Sequence, residues 1–495
     1  MDRSICIQRL ILAFLGSALF LYGLGDRDLN SSHEARAAQN AQMVLSEGHW
    51  LLPRLYDGHI ELQKPPLYYW LVALLAWIGG GQVGPWAVRL PAALSALGCV
   101  WFVHLIGRRR GRPLAGFLAA LVLATCLHFT WLARVGRIDM PLTFAITVAL
   151  GSFHIGRVEG AVRWHFVGYT ALGFGVLLKG PIALVLPALV ETSLAVSRGR
   201  AAFQGWRRTT LWWGLPLVAV IAGPWFVWAN LETDGKLFDT FIWYHNVERG
   251  FGGSETLKAH PWWFYFRCAG VDLFPWSLAL PLLLWRPSRK MSAANPAGFG
   301  PGSSLETLAT CWFLPIFVFL SCMSFKRADY LLPAYPGFAL AIGCAIERLW
   351  AAAAPVRRLQ LAVGVVFGGI AAAVALGWIG YNTWIVPRQE MNWPYQRIAE
   401  DIRFHTDRPV IFFRAESHLL AFHVGRPLDT ILEWENLAWW TDRDFPVYVV
   451  MPEKEAREWP TQLGEGWLEE VLRTRDWVHG RRDHAVVVLR TRGRS

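Results

Sequence analysis

The chain has 495 residues, of which 54% are hydrophobic and 17% are charged. Soluble domains carry about 25% charged residues, so this composition excludes an ordinary soluble protein. The net charge of +11 is compatible with a nucleic-acid partner, but the arginine clusters lie between apolar runs, as they do in cytoplasmic loops of membrane proteins. We therefore expect a polytopic α-helical membrane protein that lies in a lipid bilayer and binds no nucleic acid.

Apolar runs near the length that crosses a bilayer recur through the first three quarters of the chain. We predict eleven or more spans, drawn at residues 5–24, 86–106, 114–132, 140–155, 166–178, 182–196, 211–228, 264–284, 308–322, 331–346 and 359–379. Basic clusters follow every second span, and the positive-inside rule places them in the cytoplasm. These clusters lie at 108–112, 157–163, 198–208, 286–290 and 348–358.

One apolar run, residues 67–79, is assigned by charge rather than by length. Counting it as a span would move the basic cluster 108–112 to the outside, against the positive-inside rule. We therefore predict a helix that lies on the outer surface or re-enters from it. With this assignment, the polar segments on the outer side are 26–70, 134–139, 179–181, 232–263 and 325–330.

The last part of the chain, residues 382–495, is much richer in charge than the residues before it. Helical spacing of its apolar residues predicts an amphipathic helix over 395–405. Strands are predicted at 410–413, 447–451 and 485–489. We therefore expect a membrane domain, 1–381, and a small C-terminal α/β domain, 382–495, on the outer side.

The outer segments carry acids and bases from distant parts of the sequence. They are Glu34, Lys64, Asp139, Lys179, His245, Arg249, His260, Lys326 and Arg327. A bilayer gives no reason to gather such groups at one face unless they line a cavity or a water-facing surface. The alternative is that they are solvated loop residues or interface anchors. For Asp139, capping of the helix that begins Asp-Met-Pro is a further alternative.

Two adjacent cations indicate an anionic partner. Lys326 and Arg327 lie between two apolar spans on the outer side, against the positive-inside trend. A lipid phosphate would explain this pair, because phosphate is bound well by such cations. Lys64, directly before Pro65 and Pro66, has the same character.

Several short motifs, taken together and in order, resemble those of the GT-C glycosyltransferases, which include the aminoarabinose transferase of lipid A and the protein O-mannosyltransferases. The motifs are H-E-A-R, W-L-L-P, L-Q-K-P-P-L-Y-Y-W, R-I-D-M-P-L-T, L-L-K-G-P, P-W-F, F-P-W-S and S-F-K-R-A-D-Y-L-L-P-A-Y-P. The resemblance covers essentially all of residues 1–381, and 26–70 would be the outer catalytic loop.

The resemblance implies an enzyme that takes a hexose or pentose from a polyprenyl-phosphate carrier. It would transfer the sugar to a lipid, glycan or protein acceptor on the outer face of a bacterial inner membrane, with the active site facing the periplasm. Such a reaction needs a carboxylate to deprotonate the acceptor and cations to stabilise the departing phosphate. Candidate catalytic residues are Glu34, Asp139 and His33. Candidate substrate and phosphate contacts are Lys64, Arg36, Lys179, Lys326, Arg327, Tyr330, His245 and Arg249.

The first loop departs from the family pattern at two positions. The usual Asp-Glu pair is His33-Glu34 here, and the Glu-Lys pair is Gln63-Lys64. Each departure removes a carboxylate, so Glu34 is the carboxylate that remains at its motif. The sequence establishes no cofactor and leaves a divalent metal open, with the imidazoles of His33 and His260 as candidate ligands.

Two other functions stay open. A lipid or solute transporter, or a flippase, should carry ionisable groups near the bilayer midplane and show paired halves with broken helices. Mid-span charge is rare here, and no paired halves are visible in the sequence. The other open function is that of a family member that has lost catalysis and is kept for binding, which the two missing carboxylates suggest.

Overall fold

The structure is a computed structural model. It describes residues 3–29, 31–56, 58–199, 210–248, 260–285, 305–390, 396, 399–400, 403, 410–414, 418–425, 429–442, 445–464, 467–473 and 486–491. The predicted helix 395–405, the basic clusters 198–208 and 286–290, and Arg249 lie wholly or largely outside these residues. They stay predictions.

The chain divides into two compact units, which are described separately. Unit 1 comprises Met1–Leu24, Leu62–Tyr68 and Arg89–Gly380. Unit 2 comprises Gly25–Glu61, Tyr69–Val88 and Tyr381–Ser495. Most of the polar segment 26–70 therefore groups with the C-terminal segment, whereas Lys64 belongs to unit 1.

Helices dominate the chain up to residue 390. They are α1 (Arg3–Phe20), α2 (Ser32–Glu47), α3 (Leu67–Ile78), α4 (Pro85–Arg109), α5 (Pro113–Ala124), α6 (Leu127–Ala133), α7 (Asp139–Glu159), α8 (Val162–Lys179), α9 (Ile182–Arg198), α10 (Leu211–Glu232), α11 (Phe264–Asp272), α12 (Pro281–Leu284), α13 (Leu305–Cys322), α14 (Tyr335–Ala353), α15 (Arg357–Gly380) and α16 (Val386–Glu390). Short 3-10 helices lie at Trp276–Ala279 and Ala328–Ala334, and π-helical segments at Phe238–Glu248 and Tyr381–Ile385.

Seven described helices are long and apolar enough to cross a membrane, and the number rises to nine if each of two bent helix pairs is one span. The bent pairs, α5 with α6 and α11 with Trp276–Leu284, coincide with predicted spans 114–132 and 264–284. The other two predicted spans fall on α8 and α9. A helical membrane protein is confirmed, whereas the count of eleven spans stays a prediction.

The two bent pairs are hydrogen-bonded to each other at their bends. Cys126 has extended backbone between α5 and α6, which meet at 70°. The amide of Leu127 donates to the carbonyl of Phe274 at 3.0 Å, and the indole of Trp276 donates to the Thr125 hydroxyl at 2.9 Å. Backbone at membrane depth must be satisfied within the protein, so each bend supplies partners that the other needs.

Close helix contact in unit 1 depends on glycine. A Cβ built on Gly107 of α4 would lie 2.3 Å from the Cα of Gly116 in α5, a distance that real Cβ atoms do not reach. The turn between these helices has Gly111 at φ +72°, a conformation that other residues adopt only with strain. These glycines let α4 and α5 pack backbone to backbone at the end that carries Arg108–Arg112.

Unit 2 contains a five-stranded mixed sheet. Its strands are β1 (Val410–Phe413), β2 (Asp429–Ile431), β3 (Tyr448–Pro452), β4 (Leu468–Arg473) and β5 (Val486–Thr491), and its helices are α17 (His418–Val424), α18 (Trp434–Thr441) and α19 (Glu453–Leu463). The order is β2-β1-β3-β5-β4. Strand β1 is parallel to β2 and β3, and β5 is antiparallel to β3 and β4. The three predicted strands are confirmed to within two residues.

Helix α2 of the first loop packs in the same unit as this sheet. The hydroxyl of Ser31 caps it by accepting from the amide of Glu34 at 3.2 Å, and Gly48 ends it at φ +75°. The amide side chain of Gln39 donates to the carbonyl of His418 at 2.8 Å. His423 lies 3.0 Å from the carboxylate of Asp28. The first loop is thus built together with the C-terminal segment.

Candidate active site

Unit 1 brings Asp139 and Lys179 into direct contact. The Lys179 ammonium lies 2.5 Å from an Asp139 carboxylate oxygen, and both side chains are partly exposed, at 24% and 15%. Lys179 also lies 4.4 Å from the centre of the Tyr330 ring, a cation–π contact. Three of the predicted site residues therefore meet at one place.

The local sequence explains how both charges reach this place. Asp139 is the first residue of α7, and its carboxylate does not cap the helix, because Ile138 holds the cap position without a side-chain bond. The capping alternative for Asp139 is therefore wrong. Lys179 is the last residue of α8, and Gly180 follows at φ +76°. A Cβ on Gly180 would lie 2.4 Å from Phe241, so glycine is required at this turn.

A second group of charges surrounds Asp329 in the 3-10 helix Ala328–Ala334. We call Arg137, Arg327, Asp329 and His128 the Asp329 cluster. Arg137 pairs with Asp329 Oδ2, and the Arg327 guanidinium lies 3.5 Å from the same oxygen. Arg137 precedes Asp139 by two residues, and Tyr330 follows Asp329. The cluster is consequently continuous with the Asp139–Lys179 pair.

Lys326 differs from its neighbour Arg327. It is 3% exposed, and its ammonium donates to the carbonyl of His260 at 2.9 Å and to that of Met323. Burial lowers the pKa of its ammonium. The Arg327 side chain is 34% exposed. Arg327 is the more accessible of the two predicted phosphate contacts, while Lys326 joins two backbone segments.

The first-loop candidates lie in unit 2. Glu34 is fully buried in α2, and His33 and Arg36 lie one residue before it and two after it. The Arg36 guanidinium donates to Glu61 at 2.5 Å, and the Glu61 side chain is 2% exposed. Glu34 is therefore closed to solvent, and Arg36 is held by a buried carboxylate.

The remaining candidates are more scattered. Lys64 is partly buried in unit 1, just before α3. The backbone of His245 belongs to the π-helical segment Phe238–Glu248, but its side chain lies outside the described residues. His260 packs its ring against Phe264 and Phe325, with centroids 4.7 and 6.5 Å apart.

The sequence left open a divalent metal with His33 and His260 as candidate ligands. Within the part of the chain that the structure describes, no group of three or more His, Cys, Asp or Glu side chains is arranged to hold a metal ion. His33 belongs to unit 2 and His260 to unit 1. The described residues therefore offer no such ligand set, and no reaction step is assigned to a metal.

Sequence reasoning missed four members of these networks: Arg137, Asp329, His128 and Glu61. Two of them lay within reach of the argument. Arg137 belongs to the motif that was noted for Asp139, and Asp329 stands between two residues that were selected, Arg327 and Tyr330. His128 lies inside an apolar run and is seen only once the bend between α5 and α6 is known.

Comparison with protein families and curated proteins supports the same resemblance. A family model described as dolichyl-phosphate-mannose-protein mannosyltransferase matches residues 63–228. An undecaprenyl phosphate-alpha-4-amino-4-deoxy-L-arabinose arabinosyl transferase of Pseudomonas fluorescens is 28% identical over 385 residues, covering 75% of this chain and 62% of the relative. A transferase of the same name from Pectobacterium atrosepticum is 28% identical, covering 76% and 66%. The chain thus spans a little under two thirds of these relatives.

Solved structures agree on the fold. ArnT from Cupriavidus metallidurans bound to undecaprenyl phosphate superimposes with a TM-score of 0.76 at 19% identity, covering 97% of both chains. The archaeal oligosaccharyltransferase AglB from Archaeoglobus fulgidus superimposes with a TM-score of 0.56 at 13% identity, covering 93% of this chain and 71% of that one. The resemblance to the GT-C glycosyltransferases that the motifs indicated is confirmed, and the helical membrane fold is of that type.

Proposed function

We propose that this chain is an integral-membrane glycosyltransferase that moves a sugar from a polyprenyl-phosphate donor to an acceptor hydroxyl or amine. The observation that carries the proposal is the contact between Asp139 and Lys179, which adjoins the Asp329 cluster. This arrangement combines an accessible carboxylate with several cations at one place. The arabinosyl transferases among the relatives make a pentose, carried on undecaprenyl phosphate, the first donor to test.

The reaction displaces phosphate at the anomeric carbon of the sugar. The acceptor oxygen or nitrogen forms a bond to that carbon while the bond from the carbon to the phosphate oxygen breaks, and the bonding electron pair leaves with the phosphate. The acceptor proton passes to a carboxylate, and Asp139 is the candidate in unit 1. A positioned base contributes about 10²–10⁴-fold in rate.

The departing phosphate needs positive charge. Lys179 and Arg327 are the partly exposed cations of the site, at 24% and 34%, and Arg137 adds a guanidinium held by Asp329. Cations that are already oriented stabilise developing charge without reorganisation. Lys179 pairs with Asp139, so movement of Lys179 toward the phosphate would leave the carboxylate free to accept a proton.

The outer face of a bacterial inner membrane is the proposed site of the reaction. The positive-inside rule supports this orientation, because the cluster 108–112 lies at one end of α4 and the Asp139–Lys179 pair lies at segments assigned to the other side. Lipid, glycan and protein are the candidate acceptors, with a lipid first because of the relatives. Glu34 and His33, in the first outer loop, are the proposed further catalytic residues.

The test follows the donor, so the acceptor need not be identified beforehand. Purified full-length chain in nanodiscs is mixed with undecaprenyl-phosphate-linked aminoarabinose and a cell-envelope lipid extract, and release of free undecaprenyl phosphate is measured by mass spectrometry. We expect release that requires the extract and that Asp139→Asn abolishes. A matched control is Arg109→Gln, which removes an exposed ion pair to Glu159 at the opposite end of the helices.

The other functions give different results. A binding member without catalysis would bind the donor and release no undecaprenyl phosphate. A flippase would move the intact donor between leaflets without cleaving it, which a leaflet-specific label on the lipid would reveal. Either result, with correctly folded protein, would overturn the proposed transferase.

A further inference from the structure

His128 occupies a buried position beside the proposed site that the proposed chemistry does not use. It is 9% exposed and lies in α6, directly after the bend between α5 and α6. Its Nδ1 lies 2.9 Å from the Tyr335 hydroxyl, and its Nε2 lies 3.4 Å from Asp329 Oδ1. A further carboxylate, Asp272, lies 3.8 Å from Nδ1. Each ring nitrogen therefore faces a different polar group.

The two oxygens of Asp329 have separate partners. Oδ1 faces His128, and Oδ2 faces the guanidinium groups of Arg137 and Arg327. A carboxylate can rotate about its terminal bond, and that torsion is broad and roughly two-fold. Contact of Oδ1 with the imidazole therefore restricts the rotation that would move Oδ2 away from the two arginines.

The imidazole is itself held in place. It stacks on the Trp131 ring with centroids 5.7 Å apart and planes 16° apart. Tyr335, which contacts Nδ1, is fully buried in α14. The Arg137 guanidinium also lies over the Trp131 ring, 5.8 Å from its centre. Trp131 thus contacts both His128 and Arg137, the two residues that lie on either side of the Asp329 carboxylate.

We propose that His128 is a positioning residue for the phosphate-binding cations. In this role Nε2–H donates to Asp329 Oδ1 and Nδ1 accepts a hydrogen bond from the Tyr335 hydroxyl, which holds Asp329 Oδ2 toward Arg137 and Arg327. This inference rests on the proposed function, because it takes these two arginines as contacts of the donor phosphate. His128 does not touch the substrate, and its effect is on donor affinity.

Two near-isosteric substitutions separate positioning from simple packing. The amide nitrogen of Gln can replace Nε2, whereas that of Asn reaches only the place of Nδ1. We expect His128→Gln to keep donor affinity near that of the unchanged protein. His128→Asn and His128→Ala should raise the KM for the donor about tenfold or more, because each removes a hydrogen bond to a charged carboxylate, and kcat should change less.

A second variant and a control complete the experiment. Tyr335→Phe removes only the hydroxyl and should also raise the donor KM. His104→Gln changes another buried histidine, 2% exposed in α4, and should leave the donor KM unchanged. Thermal unfolding of every variant in detergent reports on packing. Equal donor KM values for the Gln, Asn and Tyr335→Phe variants would overturn the positioning role, whereas the absence of donor binding and cleavage by the unchanged protein would overturn the proposed function instead.

Discussion

The Lys179 ammonium lies 2.5 Å from the Asp139 carboxylate, although 40 residues separate the two in sequence. Asp139 begins α7 and Lys179 ends α8, so the pair joins neighbouring ends of an antiparallel helix pair. An ion pair this close, and still partly open to solvent, can exchange a partner. Lys179 can serve an incoming phosphate, and Asp139 can then accept a proton.

The first prediction is that Asp139 and Lys179 act as one unit. Asp139→Asn should lower transfer about 10²–10⁴-fold, and Lys179→Gln should lower it as well. The double variant should transfer sugar no more slowly than the less active single variant, because the effects of substitutions at residues in direct contact are not additive. Donor cleavage in nanodiscs measures all three.

The pair formed by Arg157 and Glu191 gives the matched control for this cycle. It is a bidentate ion pair at the other end of α7, with distances of 2.6 and 3.0 Å. Glu191→Gln should lower thermal stability and leave donor cleavage intact. Additive losses for Asp139 and Lys179 would show that the two residues act separately.

The second prediction separates Lys326 from Arg327. Arg327→Gln should weaken donor binding, because its guanidinium is accessible and can bind phosphate through two hydrogen bonds. Lys326→Gln should mainly lower stability, since its buried ammonium holds the carbonyls of His260 and Met323. Donor affinity and thermal midpoint, measured on the same samples, distinguish the two effects. A larger loss of affinity for Lys326→Gln at unchanged stability would reverse the assignment.

The sequence predicted regular elements well where local pattern decides them. The strand prediction at 410–413 matches β1, whose residues are all buried. It missed β4, because Leu468–Arg473 is an exposed edge strand in which charged residues hide the apolar pattern. It also missed the three-residue β2, which is too short to show alternation.

Long-range geometry lay beyond the sequence. Residues 114–132 read as one span, yet the chain bends at Cys126, where the partners Phe274 and Trp276 come from about 150 residues away. Charge counting predicted that Asp139 and Lys179 lie on the same side of the membrane. Their direct contact could not be predicted, because it depends on how α7 and α8 pack. For the same reason Arg327 and Tyr330 were selected from the sequence but Asp329, which lies between them, was not.

The third prediction concerns Glu34, the carboxylate that remains at the first-loop motif. Glu34→Gln should reduce transfer about 10²–10⁴-fold if it is a positioned acid or base, and His33→Ala should reduce it if the imidazole is its proton partner. Glu47→Gln is the control on the same helix, because Glu47 is about half exposed and its contact is with His49 on the surface. Near-normal turnover in both Glu34→Gln and Asp139→Asn would show that the proposed reaction centre is wrong.

The fourth prediction is the membrane topology. We expect α2 and the C-terminal α/β domain to share the outer side. The turn between α7 and α8 should face the cytoplasm, because Arg157 and Arg163 flank it. Single cysteines at the exposed positions Ser46, Arg457 and Arg163, placed in a chain whose seven cysteines are replaced, report on each side.

In intact spheroplasts, a membrane-impermeant maleimide should label Ser46→Cys and Arg457→Cys, and it should label Arg163→Cys only after permeabilisation. Four of the native cysteines are buried, and small buried thiols tolerate replacement by alanine or serine when volume is nearly kept, so the cysteine-free chain should fold. Donor cleavage by the cysteine-free chain tests whether it is folded. Labelling of Arg163→Cys in intact cells, or protection of Arg457→Cys, would contradict the orientation and would place the C-terminal domain in the cytoplasm.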